Sequence, residues 1–239
     1  MEGRYWAWLG VRLLVGVIIV GWAFSYLSPG GGSAEKEFQR ALDATKQVRS
    51  VRVLATADPE ATLHMETLWE ISCAQDAYRF KQHVVASTPE HPSESTREEV
   101  HVGPVEYEHK QDDSWQPHQF PVGVRTPGTI CEKFATGGDT NIMPDIYTMI
   151  RRGILDKGDQ KTVNGVRCRD WKITIRGGTG LEHDTLCLGL DDHLPYEMTV
   201  DSQRLRTTYS DYNSSFQVEV PAAALQPASA NYETNSIAQ

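Results

Sequence analysis

The stretch 163–190, VNGVRCRDWKITIRGGTGLEHDTLCLGL, constrains the fold more than any other part of the chain. Two alternating runs flank Gly177 and Gly178. A Gly-Gly pair in that setting predicts a two-residue hairpin, because both central residues take positive φ without steric cost. With the turn placed there, Arg176 faces Thr179 and Cys168 directly faces Cys187. Opposed Cα atoms of an antiparallel pair are about 4.5 or 5.5 Å apart, which a disulfide can span. The apolar pattern agrees with this register. Trp171, Ile173 and Ile175 share one face of the first strand, Leu186, Leu188 and Leu190 share that face of the second, and the cysteines fall on the other. Gly180 leaves room for a longer loop. The chain has four cysteines, and four allow three connectivities. The hairpin bridge leaves Cys73–Cys131 as the second.

Disulfides belong to oxidising compartments, and the N-terminus offers a route to one. Arg4 and Arg12 precede an uncharged run from Leu13 to Leu27, and an acidic EKE stands beyond it. This reads as a secretory signal or a short membrane anchor over residues 5–27, with the N-terminus inside and the rest outside the cytoplasmic membrane. Ala34, ending GSA, is a candidate cleavage site. Pro29-Gly30-Gly31-Gly32 separates the apolar run from the globular part. The expected organisation is a signal or anchor with its linker over residues 1–34, one folded domain over 35–222, and a disordered tail over 223–239.

The chain carries a net charge of −9, and removing residues 1–34 takes away Arg4, Arg12 and Glu2, leaving the rest more acidic still. Such a field steers neither nucleic acid nor anionic headgroups to the protein. Residues 86–99, ASTPEHPSESTREE from Ala86 to Glu99, read as a polar loop.

One helix and then mostly strands are expected. Ser33 is placed to cap a helix with Glu35 and Glu37 in its first turn, and Phe38, Ala41, Leu42, Thr45 and Val48 form its apolar stripe. Val51, Val53 and Ala55 alternate in a first strand. A tight turn at Ala74-Gln75 pairs Ile71 with Tyr78, Trp69 with Phe80, and Met65 with Val84. Another hairpin carries Tyr107 and Trp115 on its two arms. Ile146, Met149 and Ile150 stand at helical spacing behind Pro144, predicting a short helix. A turn at Ser202-Gln203 pairs Val200 with Leu205, Met198 with Thr207 and Tyr196 with Tyr209. FQVEV is the expected closing strand, ending at Pro221. The fold class read from this order is mainly β with flanking α: one curved antiparallel sheet, aromatic-rich on one face, with two helices to cover that face.

The order of VHVGPVEYEHKQDDSW, KGDQKTVNGVRCRDWKITI, CLGLDDHLPYEMTV and TYSDYNSSFQVEVP behind an N-terminal helix resembles the LolA/LolB superfamily of periplasmic lipoprotein carriers, with its LppX/LprG-like and RseB-like relatives. The resemblance spans about residues 35–221 and lies in pattern and order, not in an invariant motif. It implies an unclosed half-barrel, lidded by short helices, around an apolar cavity that takes acyl chains. The arginine that fixes the lid in the lipoprotein carriers has no match here.

No serine-hydrolase elbow, zinc-protease helix, C-x-x-C or phosphate loop occurs in the chain. The strongest catalytic or metal-ligating constellation is His183, Asp184, Asp191, Asp192 and His193, and Asp191-Asp192-His193 reads as a turn. No enzyme, cofactor or metal is therefore expected. The candidate site is a ligand cavity lined by Met65, Trp69, Ile71, Tyr78, Phe80, Trp171, Ile173, Ile175, Leu186, Leu188 and Met198. An acyl lipid or a lipidated protein would be its occupant, held by about 0.8 kcal/mol per methylene withdrawn from water. The alternative is an anchored interaction domain whose barrel is packed by its own side chains.

Overall fold

The computed structural model describes residues 31–60, 62–87, 92–109, 114–119, 142–177 and 180–225. The apolar run Leu13–Leu27 and Cys131 lie outside them. No helix among the described residues is long and apolar enough to cross a membrane.

Among the described residues, eleven antiparallel strands form one sheet, not closed into a barrel, with two helices. The expected fold class stands. Helix α1 (Gly31–Thr45) precedes β1 (Ser50–Glu60), β2 (Leu63–Ser72), β3 (Ala77–Ser87), β4 (Pro92–Val102), β5 (Val105–His109) and β6 (Trp115–Gln119). Helix α2 (Ile146–Arg152) then leads into β7 (Gly153–Val163), β8 (Val166–Gly177), β9 (Gly180–Gly189), β10 (Pro195–Val200) and β11 (Leu205–Ser210). The strand order is β6-β5-β4-β3-β2-β1-β11-β10-β9-β8-β7. Two meanders therefore meet at a seam between β1 and β11.

Local chemistry explains most of the turns. Val163 pairs with Val166 across Asn164 and Gly165, both at positive φ, the signature of a type I′ hairpin. The Asp145 carboxylate caps α2 by accepting from the Thr148 backbone N–H at 2.9 Å, and Arg151 and Arg152 in the last turn complement the helix dipole. At Gly153, where α2 ends, a Cβ would come within 2.6 Å of the Met149 carbonyl oxygen, so the helix can run straight into β7 only through glycine.

The β2–β3 register is as expected, with Ile71 opposite Tyr78, Trp69 opposite Phe80 and Met65 opposite Val84. So are the Val200–Leu205 and Met198–Thr207 pairs. Four readings need correction. The β8–β9 register is displaced by two residues: Gly177 faces Gly180, Cys168 faces Gly189, and Cys187 faces Asp170. The cysteines are still bonded, diagonally, with Cα atoms 5.5 Å apart. A shift of two leaves every side chain on its original face, so the apolar assignment survives. Most of the expected polar loop, from Pro92 onward, is strand β4, which the β3 ladder holds in register from Ser87–Pro92 to Ala77–Val102. FQVEV is not a strand; it crosses the back of the sheet as a strap, with Val218 packed on Ala77 and Val100, and Phe216 and Val220 beside them. Finally, α1 starts at Gly31, so Ser33 lies inside its first turn instead of capping it.

Candidate functional site: the inward face of the sheet

The registers place all eleven expected lining residues on one face. Trp171 faces Leu186, and Leu186 faces Met198. Met198 faces Thr207, Tyr209 faces Val53, and Val53 faces Trp69. Trp69 faces Phe80. Period-two alternation thus carries one continuous apolar wall across β8, β9, β10, β11, β1, β2 and β3.

The helices divide this wall into two regions. Phe38 and Ala41 of α1 and Ile146 and Met149 of α2 pack on Trp171, Ile173, Leu186 and Leu188, and all of these are buried. The Phe38 and Trp171 rings meet edge to face with centroids 5.5 Å apart. Here the helices fill the concavity. A second cluster holds Ile71, Val51, Val53 and Tyr209, with Trp69, Tyr78 and Met198 packed against it while keeping part of their surface in solvent. Trp69 lies 4.5 Å from Phe80 and 5.7 Å from Tyr78, centroid to centroid. Met65 and Ile175 are also only partly covered. Met198 packs against both clusters.

Beyond Phe80 the same face changes character. Phe80 is opposite Glu99, and Glu99 is opposite Glu108; Tyr78 is opposite His101, and His101 is opposite Glu106. The Tyr78 hydroxyl donates to the Glu106 carboxylate at 2.8 Å, its ring stacks on His101, and Arg97 pairs with Glu99. Burial pushes the Glu99 carboxyl up; Arg97 pulls it back, Glu106 and Glu108 push it further, and the net is upward.

The sequence reading missed Val53, Thr207 and Tyr209 on the inward face. The signal was available, since Met198 opposite Thr207 puts Thr207 and Tyr209 on the face of Met198. It also missed the polar margin on β4 to β6, because a polar run was read as loop.

The catalytic or metal-ligating constellation is dispersed. The Asp192 carboxylate closes the β9–β10 turn, accepting from the Leu194 backbone N–H and the Tyr196 hydroxyl. His193 reaches Glu37 of α1 at 2.7 Å, and His183 contacts Thr174 at 3.2 Å. Among the described residues no group of three or more His, Cys, Asp or Glu side chains is placed to hold a metal ion. Asp184 stands apart, directly opposite Ile173 on the inward face.

On the opposite face the Cys168–Cys187 bridge is fully buried under a charged network. The Lys161 ammonium donates to Glu197 at 2.6 Å and pairs with Asp170 at 2.9 Å, while the Arg206 guanidinium donates to Glu197 through Nε at 2.8 Å.

No family model and no curated protein sequence matches the chain. Solved structures do. LprF from Mycobacterium bovis superposes with a TM-score of 0.55 at 16% identity, over 80% of this chain and 97% of LprF. The fold is LolA/LolB-like. The MucA/MucB complex of Pseudomonas aeruginosa aligns more loosely, with a TM-score of 0.43 at 13% identity over 80% of this chain and 62% of that one. At such identities the likeness describes the fold alone. Within this fold the two helices do not bury the whole inward face: Met65, Trp69, Tyr78 and Met198 stay partly exposed.

Proposed function

We propose that this is a binding module of the extracytoplasmic space that holds the acyl chains of a lipid or a lipidated protein against the inward face of its sheet, without covalent chemistry. The observation that carries the reading is the uncovered stretch of that wall, where Met65, Trp69, Tyr78 and Met198 face inward and keep solvent contact. Large apolar side chains left in that state gain by accepting an apolar ligand, and about a dozen methylenes at about 0.8 kcal/mol each suffice to carry a chain through water. The buried disulfide supports an oxidising compartment. Helix α1 covers the wall and is joined to the N-terminal apolar run, so the same element serves as lid and as lead to a membrane segment.

Native mass spectrometry of the full chain purified from membranes should show an apolar adduct, and the stripped protein should take up an uncharged fluorescent acyl probe. Trp69→Asp should abolish uptake by setting an unpaired charge in the apolar wall, with the near-UV circular dichroism signal confirming that the domain stays folded. A folded protein with no adduct and no uptake would leave the packed interaction domain as the function. That second reading is favoured by one observation, the complete burial of Trp171, Ile173, Leu186 and Leu188 beneath the helices.

A further inference from the structure

Asp184 has no ordinary structural reason to be where it is. It sits on the inward face of β9 with Ile173 directly opposite on β8 and Val200, the last residue of β10, directly opposite on the other side. One residue pair further in, Leu186 stands between Trp171 and Met198; one pair further out, Glu182 faces Ile175. Every other inward position of β8 and β9 from Trp171 to Leu188 is apolar except Glu182 at the margin. The Asp184 Oδ1 atom is buried without a hydrogen-bond partner. The residue as a whole is only partly covered, so the side chain keeps some contact with solvent.

A buried carboxyl oxygen with no partner costs stability that a leucine or threonine at the same position would not. Groups kept at such a cost mark functional sites, and here the group points into the surface proposed to take a ligand. Burial pushes the Asp184 carboxyl upward; Glu182 on one side and Asp201 after β10 on the other push it the same way, and the weaker opposing pull of His183 leaves the net upward. No lysine or arginine contributes to compensate this negative potential. A ligand group that suits this position donates hydrogen bonds or carries positive charge. An anionic headgroup does not suit it.

We infer that Asp184 is the polar anchor of the acyl-binding face and selects ligands whose head is a hydroxyl or an ammonium, with the chain lying along the part-exposed Ile175 and Met198. This rests on the acyl-binding reading and adds to it a headgroup class and the residue that reads it.

The test compares three probes of one chain length, a long-chain amine, the corresponding alcohol and the corresponding fatty acid, by displacement of the uncharged fluorescent probe from the full-length protein at neutral pH. The expected order is amine, then alcohol, then acid. Asp184→Asn should weaken the amine by about tenfold to a hundredfold, the range for a hydrogen bond to a charged group, and remove its lead over the alcohol. Asp184→Leu should abolish the order among the three heads and raise the thermal midpoint, which shows that the variant is folded. Equal binding of all three heads by the wild type, or an amine preference that survives Asp184→Asn, overturns the inference while acyl binding stands. Failure of the wild type to take up any probe, the uncharged one included, overturns both.

Discussion

The Phe38 ring stands edge-on to the Trp171 indole, interplanar angle 87°, and this contact joins helix α1 to the sheet. Phe38 is fully buried and α1 has no other aromatic side chain. Phe38→Ala should therefore cost about 3–5 kcal/mol, the range for a buried aromatic cut to alanine. Equilibrium urea unfolding measures it. If α1 is the lid of the proposed acyl site, the same variant should accelerate exchange of the acyl probe in stopped flow; an unchanged exchange rate would mean that α1 does not gate the wall.

The Cys168–Cys187 bridge closes a loop with a sequence separation of 19. Replacing both cysteines by alanine should lower stability by about 3 kcal/mol. Because both cysteines are fully buried, a mild reductant added to the native protein should leave the bridge intact, and reduction should appear only with denaturant. Mass analysis after alkylation under the two conditions distinguishes these outcomes.

Glu197, Lys161 and Arg206 impose a defined pH dependence. Burial pushes the Glu197 carboxyl up, but the hydrogen bonds from Lys161 and Arg206, with their charges, outweigh it and hold its pKa below the ordinary value. Burial pulls the Lys161 ammonium down, and its bonds to Glu197 and Asp170 raise it above the ordinary value. A depressed carboxylate stabilises above its unfolded pKa of about 4.3 and loses that contribution as pH falls through the folded pKa. A raised ammonium stabilises below its unfolded pKa of about 10.4 and loses it as pH rises through the folded one. Lys161→Met should thus cost about 2 kcal/mol at neutral pH, with the difference from wild type flat through the neutral range and shrinking at both extremes. Urea unfolding of both proteins across pH measures it.

Glu99 shifts the other way. It lies directly opposite Glu108, and burial together with its acidic neighbours raises its carboxyl despite Arg97. A carboxylate whose folded pKa exceeds its unfolded one weakens the fold at neutral pH and ceases to do so once protonated. Glu99→Gln should therefore stabilise by about 0.2–1 kcal/mol at pH 7, the worth of a like-charge cross-strand pair. The gain should disappear in acid. Thermal midpoints of the two proteins across pH decide it.

What the sequence made legible was whatever the chain settles locally. The β2–β3 and β10–β11 registers come from tight turns between strands of matching pattern, and α2 from Pro144, Asp145 and the spacing of Ile146 and Met149. The bonded cysteines were legible, but their register was not, because Gly180 permits a turn two residues further on. The faces survived that slip because strand periodicity is two. Strand β4 was not legible, since Ser93 to Arg97 are exposed on both faces and its pairing comes from β3, not from its own pattern. FQVEV misled in the opposite sense: it alternates like a strand, yet Val218 and Phe216 serve as packing against the back of Ala77 and Val100. For the site, alternation placed the eleven named residues on one face, but Val53, Thr207 and Tyr209 of that face were missed. Which of them the helices bury and which they leave open was not, because that depends on where α1 and α2 come to rest.

The seam between β1 and β11 has a consequence for how the protein comes into being. Thr56 and Arg206, bonded across it, are 150 residues apart in sequence. Each meander can zip up as it is made, hairpin by hairpin, but β1 keeps one bare edge until the last strand arrives. A chain made N-terminus first therefore spends most of its synthesis with an open strand edge, the feature that most readily recruits a neighbouring chain. Closing that edge rests on residues 205–210, the last strand in chain order among the described residues.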